Sequence, residues 1–241
     1  MKKPLPEFSI AGVDAILAQF GDRMDEQLPF YLAKVRERLL DKYKGIIREV
    51  VPAYTTLLVY YEPRAIRLYD LEQCVEQAAA EVAWPIAMSN TGKLVEVPVC
   101  YGGDFGPELT RVAAQAKLSE AQVIELHSEV EYQVAALGFA PGFAYLSGLH
   151  EKLITPRLET PRKKVPAGSL GIAGAQTAVY PFAGPGGWNL IGRAAMRWFN
   201  PRPELDGEAM TPVEVGDRVR FKPVSAETLN ALLRSGEENS A

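Results

Sequence analysis

The stretch from Leu137 to Arg193 constrains the fold more than any other part of the chain. Glycine and proline recur every few residues there, and aromatic and short apolar runs lie between them. Proline removes a backbone donor and glycine weakens helices, so this stretch cannot form a long helix. Its aromatic residues supply too much apolar surface for a solvated linker. The stretch therefore predicts tightly turned β-structure, and loops of that kind often carry function on a rigid scaffold.

Composition excludes several classes of protein. A length of 241 residues allows one large domain or two modest ones. The net charge of −4 argues against a nucleic-acid-binding surface over the whole molecule, so we expect no nucleic-acid partner. Cys74 and Cys100 lie far apart without a CxxC, which disfavours a disulfide framework or structural zinc and favours a reducing cytoplasm. No apolar run is long enough to cross a membrane, and the N-terminus lacks the apolar core of a signal peptide.

Apolar periodicity predicts a small α+β domain over residues 1–90. Alternation is typical of strands, and apolar residues at three- and four-residue steps indicate amphipathic helices. Pro29 lies in the early turns of the first helix, which therefore begins later than Met24 or is kinked at Pro29. The predicted elements are two short strands within 7–20, a helix over 24–45, strands at 46–51 and 54–61 separated by Pro52–Ala53, and a helix over 71–82.

The remaining residues, 91–241, predict a β-barrel-like domain with a few short helices. Many short runs with turn signals are typical of barrels. A turn cluster at 89–92 marks the boundary between the two domains. The predicted elements are a strand at 94–100, helices at 107–116 and 119–126 with Ser119 as N-cap, strands around 132–136, 194–199 and 215–221, a helix at 228–233, and a disordered tail from 235.

Several motifs carry a resemblance to a known family. They are YGGDFGPEL, HSEVEYQVAALGFAPGFAYLSGL, PRLETPR, VPAGSLGIAG and FAGPGGWNLIGR. In this order they make the chain similar to the family of the 5-oxoprolinase B subunit, also called allophanate hydrolase subunit 1 or KipI-like proteins. Glu108 stands where the family pattern usually has Asp. The N-terminal half resembles the family more loosely, through GVDAILAQFG and EVVPAYTTLLVYY.

The resemblance implies both a fold and a function. The fold is a small α+β N-terminal domain followed by a cyclophilin-like β-barrel. The function is that of one component of a bacterial ATP-dependent 5-oxoprolinase, a hydrolase that opens the lactam of 5-oxo-L-proline to give L-glutamate. Its partners in a cytoplasmic hetero-oligomer are a carboxyltransferase-like C subunit and a LamB/YcsF-like A subunit. ATP is then a co-substrate of the complex, and the absence of a Walker A sequence argues against P-loop binding by this chain.

Two alternative functions stay open at this point. The first is a KipI-like regulatory protein that inhibits a histidine kinase by binding it. The second is a component related to allophanate hydrolase or urea carboxylase. A barrel of the cyclophilin type does not itself imply prolyl isomerase activity, because a fold alone carries no function.

Three residues are candidates for catalysis, since opening an unstrained lactam needs a proton carrier and donors for a developing oxyanion. His127, in a matching motif, could shuttle a proton near neutral pH or equally make a structural hydrogen bond at a helix end. Ser169 is the second candidate, as a nucleophile, although no His or Asp is adjacent to it in sequence. The glycines around Ser169 could form an oxyanion nest or only permit tight turns. Gln176 could face a pocket.

Five residues are candidates for substrate binding. Arg157 and Arg162 lie in the spacing PRxxxPR, where each preceding proline fixes the backbone and could hold a guanidinium toward an anion. A solvated basic loop, or a patch for an acidic partner, is the alternative. Arg193 closes the GGWNLIGR motif and is a third candidate. Tyr180 could face a pocket, and Trp188 could form its wall. No HxH, HExxH or carboxylate cluster occurs, so we expect no metal site.

Overall fold

A computed structural model describes residues 2–23, 25, 27–86, 92–207 and 209–238. The chain divides into two compact units, Met1–Gly92 and Lys93–Ala241. Each unit has its own cluster of buried apolar side chains. The turn cluster expected at 89–92 lies, apart from Gly92, outside the described residues.

The first unit has the predicted ββαββα order of elements. Its strands form an antiparallel sheet in the order β1-β2-β4-β3, and the apolar stripes of both helices contribute to one core. The elements are β1 Glu7–Ile10, β2 Ala15–Gln19, α1 Leu28–Lys42, β3 Ile47–Ala53, β4 Thr56–Tyr61 and α2 Leu68–Glu81.

The structure decides two predictions about prolines in the first unit. Helix α1 begins at Leu28, with Pro29 in its first turn, where a missing N–H costs no intrahelical hydrogen bond. The predicted start at Met24 lies outside the described residues. The expected separation of strands at Pro52–Ala53 is wrong, because β3 runs through Pro52 in register with Leu57. Alternate residues of a strand direct their N–H away from a given neighbour, so proline is tolerated there.

The second unit is a closed seven-stranded barrel with helices, which confirms the predicted fold of an α+β domain followed by a barrel. The barrel order is β6-β13-β5-β12-β9-β10-β7, and β7 pairs back with β6. Strands β8 and β11 form a separate two-stranded ribbon. The elements are β5 Leu94–Tyr101, α3 Leu109–Ala116, α4 Glu120–Ser128, β6 Glu131–Leu137, β7 Ala144–Ser147, β8 Arg162–Val165, β9 Ser169–Ala173, β10 Gln176–Val179, β11 Gly184–Gly186, β12 Asn189–Ala194, α5 Pro203–Asp206, β13 Arg218–Pro223 and α6 Ala226–Glu238.

The second unit contains two clusters of buried apolar residues. The larger one is the barrel core, with Val97, Tyr132, Ile172 and Phe221 among its members. The smaller one, which we call the aromatic cluster, consists of Phe143, Val165, Ala173, Ala178, Tyr180, Trp188 and Leu190. Among the described residues, no helix combines the length and apolarity needed to cross a membrane.

Two predictions for the second unit are wrong. The strand expected over residues 194–199 ends at Ala194. Trp198 is only 1% exposed and belongs to the barrel core, although it lies outside the strand. Helix α6 continues to Glu238, so the tail expected to be disordered from residue 235 is helical as far as it is described. Residues 239–241 lie outside the described part.

Candidate functional site

His127 lies at the C-terminal end of α4 and is completely buried among aromatic rings. A capping box between Ser119 and Gln122 starts this helix, as the sequence predicts. The imidazole stacks on Phe221 with ring centroids 5.1 Å apart. Its Nδ1 lies 2.9 Å from the Tyr101 hydroxyl, and its Nε2 lies 3.0 Å from Thr177 Oγ1. The histidine therefore joins α4 to β5 and β10.

The hydrogen bonds around His127 specify its tautomer. Thr177 Oγ1 donates its single hydrogen to the carbonyl of Gly171, 3.0 Å away, so it can only accept from His127. Nε2–H is therefore the donor, and Nδ1 accepts from the Tyr101 hydroxyl. The resulting chain runs from Tyr101 through His127 and Thr177 to Gly171, with every hydrogen used once. We call it the histidine relay.

The environment of His127 keeps the imidazole neutral. Burial away from water lowers the pKa of His127 to about 3 from its ordinary value of 6.5. Burial also raises the pKa of Tyr101 well above its usual value, so the phenol stays a donor. Of the two hypotheses for His127, this geometry supports the structural hydrogen bond. A role in proton transfer stays a prediction for an assembled enzyme.

The YGGDFGPE motif forms a turn that docks on the edge of β12. Gly102 N–H donates to the carbonyl of Ile191 at 3.0 Å, and Glu108 N–H donates to that of Leu190 at 2.9 Å. A Cβ at Gly106 would overlap the Ile191 carbonyl, so only glycine allows this approach. The Glu108 carboxylate accepts from Leu190 N–H at 2.9 Å, where the pairing of β12 with β9 shifts register.

Glu108 also forms an ion pair with Arg162 of β8. The glutamate and arginine side chains are 12% and 28% exposed, so this pair is better shielded than an ordinary surface salt bridge. Arg162 Nη1 is buried and has no hydrogen-bond partner. The first arginine of PRxxxPR, Arg157, is exposed. Nη2 of the Arg162 guanidinium therefore belongs to the ion pair with Glu108. The binding of one anion by Arg157 and Arg162 together stays a prediction.

Tyr180 and Trp188 belong to the aromatic cluster next to this ion pair. Phe143 packs edge-on against both rings, at centroid distances of 5.4 Å to Tyr180 and 5.6 Å to Trp188. Burial raises the pKa of Tyr180, although a hydrogen bond with the Trp188 backbone and the charges of Arg157 and Arg162 oppose the shift. The phenol is therefore neutral near pH 7. Trp188 is buried in this cluster, and its place in the wall of a substrate pocket stays a prediction.

The other two catalytic candidates lie on the neighbouring strands β9 and β10. Ser169 opens β9 and is buried, and Thr177 rather than Ser169 supplies the hydroxyl that contacts His127. Gln176 opens β10 and is half-buried. In two glycines of the expected oxyanion nest, the N–H group already has a hydrogen-bond partner within the chain. Gly168 N–H donates to the Tyr180 carbonyl at 2.7 Å. Gly174 N–H donates to the Thr155 carbonyl, also at 2.7 Å. For these two glycines the structure favours tight turns over an oxyanion nest.

Arg193, the last substrate-binding candidate, lies in β12 and lines a separate cleft of about 360 Å³ in the second unit. The first unit has a cleft of about 600 Å³, whose charged rim includes the ion pair of Lys34 with Glu37. Among the described residues, no group of His, Cys, Asp or Glu is arranged to hold a metal ion.

Sequence reasoning missed three residues of this site. Tyr101 opens YGGDFGPEL, one of the motifs that carry the resemblance. Its membership in that motif was the signal that could have pointed to it. Glu108 stood out only as a departure from the family pattern. Thr177 carries no local signal, because its contact with His127 depends on the closure of the barrel.

Comparison with known proteins identifies the family. Residues 6–206 match the family described as carboxyltransferase domain, subdomain C and D. Over 231 residues the chain is 37% identical to the 5-oxoprolinase B subunit of Bacillus subtilis (strain 168), and the match covers 91% of this chain and 93% of that protein. The chain belongs to the family of the 5-oxoprolinase B subunit.

Two solved structures relate this member of the family to larger proteins. The protein TTHA0988 has a TM-score of 0.75 and 32% identity over 88% of this chain, and the match spans 40% of its length. The urea carboxylase of Kluyveromyces lactis has a TM-score of 0.74 and 17% identity, covering 98% of this chain and 23% of the carboxylase. That identity shows a shared fold and no more.

Proposed function

We propose that this chain is the B subunit of an ATP-dependent 5-oxoprolinase, which hydrolyses 5-oxo-L-proline to L-glutamate. The observation that supports this proposal is the identity to the B. subtilis protein, which extends over nearly all of both chains. The motifs that carry the resemblance also meet in space, since YGGDFGPE docks on β12 and its tyrosine contacts His127.

The proposed reaction opens a lactam that is too stable for unassisted hydrolysis. The amide oxygen attacks the γ-phosphorus of ATP, so an O–P bond forms and ADP leaves. Water then adds to the activated carbon, and the C–N bond breaks as nitrogen takes up a proton, which leaves an acyl phosphate. A second water attacks the same carbon and displaces phosphate, which carries away the former amide oxygen. Such steps need cationic groups near the phosphate and donors at the developing charge.

Within the described residues, this chain does not offer a complete set of groups for that reaction. His127 is closed inside the histidine relay, Arg162 is engaged by Glu108, and no metal-binding group is present. We therefore propose that a carboxyltransferase-like C subunit and a LamB/YcsF-like A subunit supply the missing groups, with ATP bound by the assembly. The chain would then contribute substrate binding and part of the active-site wall.

Reconstitution from purified proteins tests the proposal. The three components are mixed with ATP and 5-oxo-L-proline, and ADP and glutamate are measured in parallel. We expect both products in equal amounts, and neither when this chain, ATP or either partner is omitted. Equal glutamate release with and without this chain would contradict the proposal.

The catalytic candidates can be tested in the same assembly. Ser169→Ala removes only a hydroxyl from a buried strand position, and Gln176→Glu changes only the amide. A tenfold or greater loss of kcat, with unchanged assembly measured by sedimentation, would support catalytic roles for these residues. An unchanged kcat in both variants would assign Ser169 and Gln176 to the structure of the barrel.

A further inference from the structure

The cleft around Arg193 brings together residues from three separate segments of the chain. Arg193 comes from the end of WNLIGR, Gly168 from VPAGSLG and Pro181 from the segment after β10. The bulky apolar part of its wall consists of Trp198, Leu232 and Leu233. At about 360 Å³ the cleft lies at the lower end of the range of about 300–1,000 Å³ for small-molecule sites.

The backbone of Gly168 makes room for the arginine. Its φ of +80° is in the left-handed region that favours glycine, and its carbonyl accepts from Ala194 N–H at 2.8 Å. A Cβ at this position would lie 3.5 Å from Arg193 Cγ and 3.0 Å from the Ala194 carbonyl oxygen. The arginine stem therefore runs directly over Gly168, and a larger residue there would displace it.

The Arg193 guanidinium has no counter-charge in the described part of the chain. Its Nε is buried without a hydrogen-bond partner, and no described carboxylate pairs with it. Among the described residues, no acidic side chain lines the cleft, whereas a second cation, Arg197, does. A guanidinium that lines a cleft without a carboxylate partner from its own chain is suited to a carboxylate from outside, which its planar donors match.

We propose that this cleft binds a small monocarboxylate, with the carboxylate on the outer edge of Arg193 and an apolar body against Trp198 and α6. This inference rests on the proposed function, under which the ligand is 5-oxo-L-proline, held by its carboxylate so that the lactam faces outward. The planar fork of arginine matches a carboxylate bidentately, and the alanine, proline, leucine and tryptophan walls suit a ring with few polar groups.

Direct binding to the full chain is the first test. The indole N–H signal of Trp198, assigned with Trp198→Phe, is followed by NMR as 5-oxo-L-proline is added. We expect a saturable shift. The probes 2-pyrrolidinone, which is the same ring without the carboxylate, and acetate, which lacks the ring, should each bind at least tenfold more weakly. Equal binding of acetate or of 2-pyrrolidinone would overturn the proposed pairing of carboxylate and ring.

Two variants of independent design test the position of the ligand. Arg193→Gln removes the charge and should weaken 5-oxo-L-proline binding at least tenfold, while Arg193→Lys, a point charge without a fork, should be intermediate.

Leu232→Glu introduces a carboxylate at a 38%-exposed wall position, where it competes with the ligand for Arg193. Leu232→Gln is its neutral control, and Arg111→Gln is the matched control on the exposed face of α3. Wild-type affinity in both Arg193→Gln and Leu232→Glu would overturn the proposal.

The enzyme assay separates failure of this inference from failure of the proposed function. If glutamate release needs this chain but the KM for 5-oxo-L-proline is unchanged in Arg193→Gln, the function stands and the cleft proposal falls. If Arg193→Gln abolishes direct binding while glutamate release does not depend on the chain, the carboxylate site stands and the function falls. If the variant weakens only association with the other components of the enzyme, the carboxylate belongs to a partner protein and the proposal is overturned.

Discussion

His127 is a residue whose chemistry is decided by what surrounds it rather than by its type. The sequence leaves open whether it transfers protons or supports the fold. In the structure each ring nitrogen of His127 has one hydrogen-bond partner. Moving the hydrogen from Nε2 to Nδ1 would break the hydrogen bonds to Thr177 and Tyr101 together. A buried polar network in which every member is satisfied favours one arrangement of the core, whereas loss of one member leaves the others unpaired.

Thr177→Val should therefore destabilise the protein more than Thr177→Ser. Valine keeps the shape but leaves His127 Nε2–H without an acceptor, at a cost of about 2–3 kcal/mol in the free energy of unfolding. Serine keeps the hydroxyl and loses one buried methyl group, worth about 1 kcal/mol. Urea denaturation compares the two variants, and the ¹⁵N shifts of the imidazole should show the Nε2–H tautomer in wild type and Thr177→Ser. Equal losses of stability would contradict the relay.

The YGGDFGPE turn shows how one element can fix the position of another. It covers β12 at the point where the ladder with β9 changes register, and the Glu108 carboxylate accepts the Leu190 N–H there. The same carboxylate holds Arg162 of the β8–β11 ribbon. The turn therefore connects the barrel wall to the ribbon through a single side chain.

Gly106→Ala should disrupt this element, and Gly138→Ala should not. The added Cβ at position 106 meets the backbone carbonyl of Ile191, which cannot move without shifting β12, so we expect a loss of about 3 kcal/mol or more. At Gly138 a Cβ has no neighbour within 4 Å, and we expect a change of less than about 1 kcal/mol. Thermal or urea unfolding measures both. Similar losses in the two variants would mean that the turn does not dock as described.

Glu108→Ala should cost more stability than Arg162→Gln. Removal of the carboxylate leaves both Leu190 N–H and the Arg162 guanidinium without a partner, at about 2–4 kcal/mol. Glutamine at 162 still donates to Glu108, and the bond to Leu190 survives, so a loss of about 1 kcal/mol is expected. The free energies of unfolding in urea decide the order. A larger loss for Arg162→Gln would assign the main role to the ion pair instead.

At the element scale, sequence reasoning succeeds where the signal is local. The capping residue Ser119 and the apolar stripes of α1 and α2 depend on neighbours within a few residues, and these elements lie within a few residues of their predicted positions. The strand predicted at 194–199 is wrong because Trp198 is buried in the barrel core, among residues distant in sequence, without being part of a strand. The hydrogen-bond partners of Glu108 and His127 could not be predicted for the same reason, because Leu190 and Thr177 are distant from them in sequence.

At the scale of the whole molecule, the barrel depends on pairings that no local pattern encodes. Strand β13 lies parallel to β5, with Arg218 opposite Leu94, and β6 joins β7 to complete the ring. Short strands with turn signals predict a barrel-like domain, but the strand order that closes it comes only from the structure. The order of elements in the first unit, in contrast, follows directly from the chain.

Stability of the whole molecule should depend on pH through the one histidine buried in the barrel domain. With a pKa of about 3 when folded and 6.5 ordinarily, His127 takes up a proton on unfolding at every pH between these values. The free energy of unfolding therefore falls as pH falls below 6.5, by up to roughly 1.4 kcal/mol per pH unit from this group, and the effect levels off near pH 3.

His127→Gln should remove this contribution. The variant is less stable than wild type at pH 7, because it loses the relay, but the difference between the two should shrink steadily from about pH 6.5 toward about pH 4. His150→Gln controls for loss of a histidine, since His150 lies at a 3₁₀ turn outside the core and accepts from Lys152 N–H. Carboxylates that titrate over the same range affect all three proteins alike and cancel in the differences. The contrary result is a difference in the free energy of unfolding between wild type and His127→Gln that stays constant from pH 6.5 to pH 4. It would mean that His127 is already protonated in the folded chain. The tautomer assigned from its hydrogen bonds would then be wrong.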